Sequence, residues 1–161
     1  SRLEPLSGGQ LWMGGSDVTR RSPHQLPKRV VWVPAQPYFF RNALDEDFSE
    51  YLSHVRPNPS IFTREELFKR LQLTPLVSET HTHQLSLGQA KRVCLIRALL
   101  TSPDLLLLDE PLSNLDEANR QAVLTLIADY CLNGGSVVAT AHHMPANSEG
   151  QTVSKLVLEP H

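Results

Sequence analysis

Residues 85–116 read LSLGQAKRVCLIRALLTSPDLLLLDEPLSNLD, and their order decides the fold. Ser86 is a good helix N-cap residue. The run AKRVCLIRALL behind it predicts an amphipathic helix over roughly 87–101, with Val93, Ile96, Leu99 and Leu100 on its apolar face. LLLL (105–108) predicts a buried strand that ends in Asp109, Glu110 and Pro111. A second helix follows over about 117–131, with Asp116 at its N-cap. The stretch NGG (133–135) stops that helix, and SVVAT (136–140) is the next strand.

Outward from this centre the texture changes. RVVWV (29–33) is an apolar strand, and GGQLWMGG (8–15) is a short strand between glycine turns. Between them SDVTRRSPHQLPK (16–28) is polar, carries two prolines and reads as loop. From Pro34 to about Gln84, prolines, aromatics and short helical patterns alternate, with Thr63 and Glu66 placed as a capping box ahead of LFKRLQL (67–73). KLVLE (155–159) is a last short strand. Strand–helix–strand alternation with continuous apolar strands predicts an α/β fold with a mainly parallel sheet covered on both faces. The core spans 1–36 and 91–161, and an inserted α-helical subdomain spans about 37–90.

Composition narrows the function. The 161 residues suffice for one domain with its own core, and the net charge of -2 gives no nucleic-acid footprint. No apolar run approaches the roughly 20 residues that cross a bilayer, and no charged-then-apolar leader opens the sequence. Cys94 and Cys131 lie in apolar helical patterns and read as small core residues rather than as a disulfide or metal pair. The His81–His83 and His142–His143 groups lack cysteine or acidic partners at ligand spacing, so a metal site is not expected there.

Five letters, LSGGQ, at residues 6–10 and their variant LSLGQ at 85–89 compete for one role. A phosphate-facing turn needs its Ser and Gly at a helix N-terminus, where unbonded N–H groups and the positive end of the dipole point outward. LSGGQ runs into a strand and a turn, whereas LSLGQ runs into a strong helix, so the second is the site. The acids support this choice. In phosphoryl-transfer ATPases an Asp at such a strand end holds Mg2+ beside the β- and γ-phosphates, and a neighbouring Glu can deprotonate the attacking water. The position also suits the rule that α/β sheets bind ligands beyond the C-terminal ends of their strands. A solvated turn after a core strand would explain Asp109 and Glu110 alone, but not LSLGQ one helix upstream.

With these motifs in order, the stretch 85–116 resembles the ATP-binding cassette (ABC) ATPase family in its signature motif, Walker B strand and D-loop. SVVATAHH (136–143) resembles the strand leading to the family's switch histidine, and EPLSGGQLWMGG (4–15) the segment after its P-loop helix. The resemblance implies a P-loop NTPase-like core, ATP and Mg2+ as cofactors, and hydrolysis at the seam of a head-to-tail dimer. It assigns Asp109 to the magnesium and Glu110 to the general base, with Ser86, Leu87, Gly88 and Gln89 facing the γ-phosphate of a nucleotide on the second subunit. Leu87 stands where the family usually has glycine, Asp116 falls at the dimer seam, and His142 matches the switch histidine with His143 as the alternative. Gln36 is the Q-loop candidate for water and magnesium contacts, although ungapped alignment puts Ala35 there. No Gly-Lys pair occurs in the sequence, so the family's GxxxxGK[ST] phosphate loop is missing, as is its adenine-stacking aromatic. The 161 residues are therefore expected to be the C-terminal two-thirds of a nucleotide-binding domain, truncated before residue 1 and poor at binding ATP alone.

The implied function is the ATP-hydrolysing subunit or domain of an ABC membrane transporter, on the cytoplasmic face of the inner membrane. Its subdomain would dock on a transmembrane partner through PYFF (37–40) and the acidic DEDFSEYL (45–52). The alternatives are a soluble, non-transport ABC ATPase and a degenerate, regulatory cassette without catalysis.

Overall fold

Three parallel strands position the acids. In the computed structural model, which describes residues 30–55, 60–73 and 80–140 and the backbone of 12–13 and 16–17, β3 (Val30–Val33), β4 (Leu105–Asp109) and β5 (Ser136–Thr140) form a sheet in the order β3-β4-β5. The register places Val31, Leu106 and Val137 in one row and Trp32, Leu107 and Val138 in the next. Successive side chains point to opposite faces. Leu106 is accordingly buried with Val31 and Val137 packed against the core, while Trp32 and Val138 are each 58% exposed. The fold is α/β with a parallel sheet, as expected, but among the described residues helices cover only the Val31–Leu106–Val137 face. A separate antiparallel pair joins β1 (Trp12–Met13) to β2 (Ser16–Asp17). Ser16–Asp17 thus pairs as a strand where its polar sequence predicts loop; the Gly14–Gly15 pair before it is what two-residue hairpin connections favour.

Four α-helices, α1 (Leu44–Ser53), α2 (Arg64–Arg70), α3 (Leu87–Leu100) and α4 (Glu117–Leu132), and one 3-10 turn (Thr82–Gln84) complete the described fold. Thr63 caps α2 by accepting from the Glu66 N–H at 3.1 Å, as its spacing predicts, while the Glu66 carboxylate lies 3.6 Å from Arg70. Helix α3 departs from expectation. It is not amphipathic, because every residue from Ala90 to Leu99 is buried, Lys91, Arg92 and Arg97 included. The sheet packs on one side of it and α1 and α2 on others, so these turns have no solvent face.

Cations without water need acceptors. Arg97 is 1% exposed and Asp47 fully buried; Arg97 Nη1 donates to Asp47 Oδ2 at 2.5 Å and Nη2 donates to the Tyr38 carbonyl at 2.8 Å. The other Asp47 oxygen accepts from the Phe40 N–H at 2.6 Å. The guanidinium carbon lies 4.8 Å from the Tyr51 ring centroid and 5.2 Å from those of Tyr38 and Phe39, within cation–π range. The segment 45–52 is therefore not the open acidic surface expected of it: Asp47 is drawn into the core, Asp45 pairs with Arg64, and Glu50 pairs with Arg41. The cysteines also divide, with Cys94 buried as expected and Cys131 exposed on α4.

Helix α4 is fixed at both ends. The Asp116 carboxylate accepts from the Asn119 N–H and from Asn119 Nδ2, each at 2.8 Å, so Asp116 is the N-cap its position predicts. At the C-terminus Gly134 adopts φ 92°, and a Cβ on Gly135 would stand 2.3 Å from the Tyr130 ring, so only glycine fits there. The Tyr130 hydroxyl donates to the Pro103 carbonyl at the entry to β4, and burial pushes its pKa up to about 12.

Two predictions follow from these anchors. Arg97→Ala leaves Asp47 buried and unpaired, and is expected to cost about 3–5 kcal/mol in denaturant unfolding. The double change Asp47→Asn with Arg97→Met buries no charge and should cost much less; a single variant within about 1 kcal/mol of the parent would show the pair to be dispensable. For the cap, the bonds from Asn119 hold the Asp116 carboxyl below its ordinary value of 3.8. Its contribution is complete above that value and is lost as pH falls through the lower, folded-state pKa. Asp116→Ala should lower Tm by about 3 °C at pH 7, and the difference should close on acidification.

Candidate active site

Asp109 is the last residue of β4 and stands in register with Thr140, the last residue of β5. The Thr140 hydroxyl donates to Asp109 Oδ1 at 2.5 Å and accepts from the Glu110 N–H at 3.0 Å. Glu110 has φ 47°, in the left-handed region. For a residue with a Cβ that conformation costs roughly 1–2 kcal/mol, so it persists only where the surroundings impose it. Here the Glu110 carbonyl accepts from Lys91 Nζ at 3.2 Å, from the Ser113 hydroxyl at 3.1 Å and from the Ser113 N–H at 3.3 Å. The Lys91 ammonium also donates to Ser113 Oγ.

The LSLGQ turn opens α3 beside this loop. Ser86 Oγ accepts from the Gln89 N–H at 3.2 Å and Gln89 Oε1 accepts from the Ser86 N–H at 2.9 Å, a reciprocal capping box. Both polar side chains thus order their own helix end, and Leu87 projects outward, 46% exposed. Gly88 faces inward. A Cβ there would meet the Asn114 carbonyl at 3.0 Å and Leu115 Cδ2 at 3.1 Å, so glycine lets the first turn of α3 rest on the 110–116 loop.

The structure therefore brings Asp109, Glu110, Gly88 and the capped start of α4 at Asp116 together around one loop. It does not bring Gln36 into that group: Gln36 is exposed, and among the described residues no hydrogen bond joins it to Asp109. His142, His143 and the LSGGQ copy at 6–10 lie outside the described residues. Thr140, Lys91 and Ser113 join this group without a motif in the sequence to mark them. No local signal singles them out: that β4 and β5 end level, and that α3 is buried so its lysine must find acceptors, are properties of the assembled fold.

Behind Asp109 the space bordered by Val33, Pro34, Lys91 and Leu108 is about 10 Å3, room for one water at most. The carboxylates stand at the C-terminal ends of the strands, where α/β sheets bind ligands. Two adjacent carboxylates are hard oxygen donors that suit Mg2+. Among the described residues no cluster of three or more His, Cys, Asp or Glu forms a self-sufficient metal cage. The donor set fits an ion that completes its shell with substrate phosphates.

Comparison with known proteins places this arrangement. The family profile of ABC transporters matches residues 1–113. The Fe(3+) ions import ATP-binding protein FbpC of Vibrio cholerae is 36% identical over 131 residues, covering 79% of this chain and 36% of its own length. The cytochrome c biogenesis ATP-binding export protein CcmA of Pseudomonas putida is 30% identical over 143 residues, covering 88% and 66% respectively. The chain thus spans between about a third and two-thirds of the length of these relatives. Among solved structures, an ATP-bound bacterial Atm1-family ABC exporter superposes with a TM-score of 0.68 at 20% identity, over 85% of this chain and 25% of that one. The cbiO1 protein of Clostridium perfringens gives 0.65 at 22%, over 85% and 57%. At such identities the structural likeness establishes the fold, which is that of ABC ATPase domains. With the profile covering more than half of its residues, the chain belongs to the ABC transporter family.

Proposed function

We propose that these residues form the catalytic and signature part of a nucleotide-binding domain that hydrolyses ATP to drive an ABC membrane transporter. The observation that carries the proposal is the junction at Glu110, where the acidic end of β4 and the LSLGQ helix meet on one loop. On this reading Asp109 would hold Mg2+, with Gln36 in the segment after β3 the candidate for a further contact, and the ion would supply charge neutralisation at the substrate phosphates. Glu110 accepts the proton of the attacking water. Ser86, Leu87, Gly88 and Gln89 face the γ-phosphate of a nucleotide carried by a second nucleotide-binding domain, with the N-terminal N–H groups of α3 as donors. Asp116 lies at that seam, and His142, or else His143, contacts the γ-phosphate.

The core, 1–36 and 91–161, carries the chemistry, while about 37–90 docks on a transmembrane partner at the cytoplasmic face of the membrane. Tyr38 and Phe40, 43% and 46% exposed, are the apolar part of that contact. Among the described residues no helix is long and apolar enough to cross a membrane, so the translocation path belongs to the partner. The lysine-bearing phosphate loop comes from polypeptide other than these residues, since they contain no Gly-Lys pair.

Titration calorimetry of Mg-ATP into the 161 residues is expected to give no binding in the micromolar range; micromolar binding would mean that another loop cradles the phosphates. In a chain extended upstream of Ser1 by a GxxxxGK[ST] loop region, Glu110→Gln should keep ATP binding and slow hydrolysis about a hundredfold or more. Undiminished turnover would remove Glu110 from its role. An extended chain that binds ATP but never hydrolyses it would favour a regulatory, non-catalytic cassette.

A further inference from the structure

We infer that Thr140 and Lys91 are positioning residues that clamp the backbone of Glu110 from both sides and so aim its carboxylate, with Lys91 linking that aim to the LSLGQ helix of the same chain. The inference rests on Glu110 being the general base. Four non-glycine residues among those described have positive φ: Gln72, Ser102, Glu110 and Asn114. Gln72 and Ser102 follow helix ends, and their N–H groups bond back to Lys69 and Leu99 of their own helices, the local way a helix stops. Glu110 differs in following a strand: a local turn closes from the Ser113 N–H onto its carbonyl, but no helix end takes its own N–H. Its N–H is taken by a side chain at the end of β5, and its carbonyl accepts from a side chain of α3 as well as from the Ser113 N–H and hydroxyl of its own loop.

Each clamp is chemically complete. The Thr140 hydroxyl uses its proton on Asp109 Oδ1 and a lone pair on the Glu110 N–H, so one oxygen ties the two carboxylate residues together. Serine would reproduce both bonds, and valine, of nearly the same shape, neither. Lys91, 8% exposed, places its ammonium between the Glu110 carbonyl and Ser113 Oγ, and Ser113 Oγ donates to that same carbonyl. Pro111, the next residue, has no N–H, and the loop's own bonds to the Glu110 carbonyl come from Ser113. Loss of these bonds lets Glu110 return to negative φ, which swings its side chain away from the strand end. Because Lys91 belongs to the helix whose first turn rests on Asn114 and Leu115, displacement of that turn pulls on the same carbonyl.

Amide hydrogen exchange at Glu110, measured by NMR on the 161-residue chain, reads the clamp without any nucleotide. Thr140→Val should speed exchange of that amide about tenfold, the scale of one lost hydrogen bond, with Tm little changed, and Thr140→Ser should restore protection. In the extended chain, Thr140→Val and Lys91→Met should each lower kcat about ten- to a hundredfold while KM for ATP stays within about twofold, as misaimed chemistry requires; Thr140→Ser should recover kcat. Unchanged exchange in Thr140→Val overturns the clamp whatever turnover does. Faster exchange with unchanged kcat overturns the positioning role. Undiminished hydrolysis by Glu110→Gln overturns the general-base assignment, and the positioning role with it, while the exchange data still decide whether the clamp exists.

Discussion

Arg97 and Asp47 meet at 2.5 Å with both side chains almost wholly out of water, and three separate pieces of chain depend on that contact. Asp47 belongs to α1 and Arg97 to α3, and further bonds of the pair go to the Tyr38 carbonyl, the Phe40 and Arg41 N–H groups and the Cys94 sulfur. Removing two charges from water costs several kcal/mol per ion, so such a pair persists where its geometry is fixed and most of its polar atoms are bonded; of the Arg97 nitrogens, only Nε finds no acceptor. Here the aromatic rings of residues 38–40 and Tyr51 close the site around the guanidinium. The consequence is positional. The segment leaving β3, the helix carrying LSLGQ and the first helix of the 37–90 region are pinned to one point, and α3 has no freedom to roll.

From that fixed helix the site is built outward. Gly88 sets its first turn against the loop, Lys91 reaches the Glu110 carbonyl, and the register of β4 with β5 brings Thr140 level with Asp109. The strain of a left-handed glutamate sits where these three constraints converge. Strain kept at a point of convergence is a common mark of a working site. It agrees with the role proposed for Glu110.

Much of this was legible in the residues. The capped start of α3 at Ser86, the strand over 105–108, the cap at Asp116, the stop at NGG and the strand 136–140 all follow from local rules of capping, apolar runs and glycine. What escaped was long-range. Periodicity assigns α3 one wet face, but it cannot reveal that sheet and helices enclose it, so Lys91, Arg92 and Arg97 look like surface cations. For the same reason Asp47 looks like one acid in an exposed run, and Cys131 looks like Cys94. Thr140 carries no local signature at all; its value comes from strand register, which is a property of the assembled sheet.

The central claim is that LSLGQ at 85–89, and not the literal LSGGQ at 6–10, is the turn that faces nucleotide across a dimer. Sedimentation velocity in Mg-ATP of the loop-extended Glu110→Gln chain, carrying either Ser86→Arg or Ser7→Arg, separates the two most directly. The account predicts that Ser86→Arg abolishes the ATP-dependent dimer and Ser7→Arg leaves it intact. A dimer that survives Ser86→Arg and is lost with Ser7→Arg would contradict it.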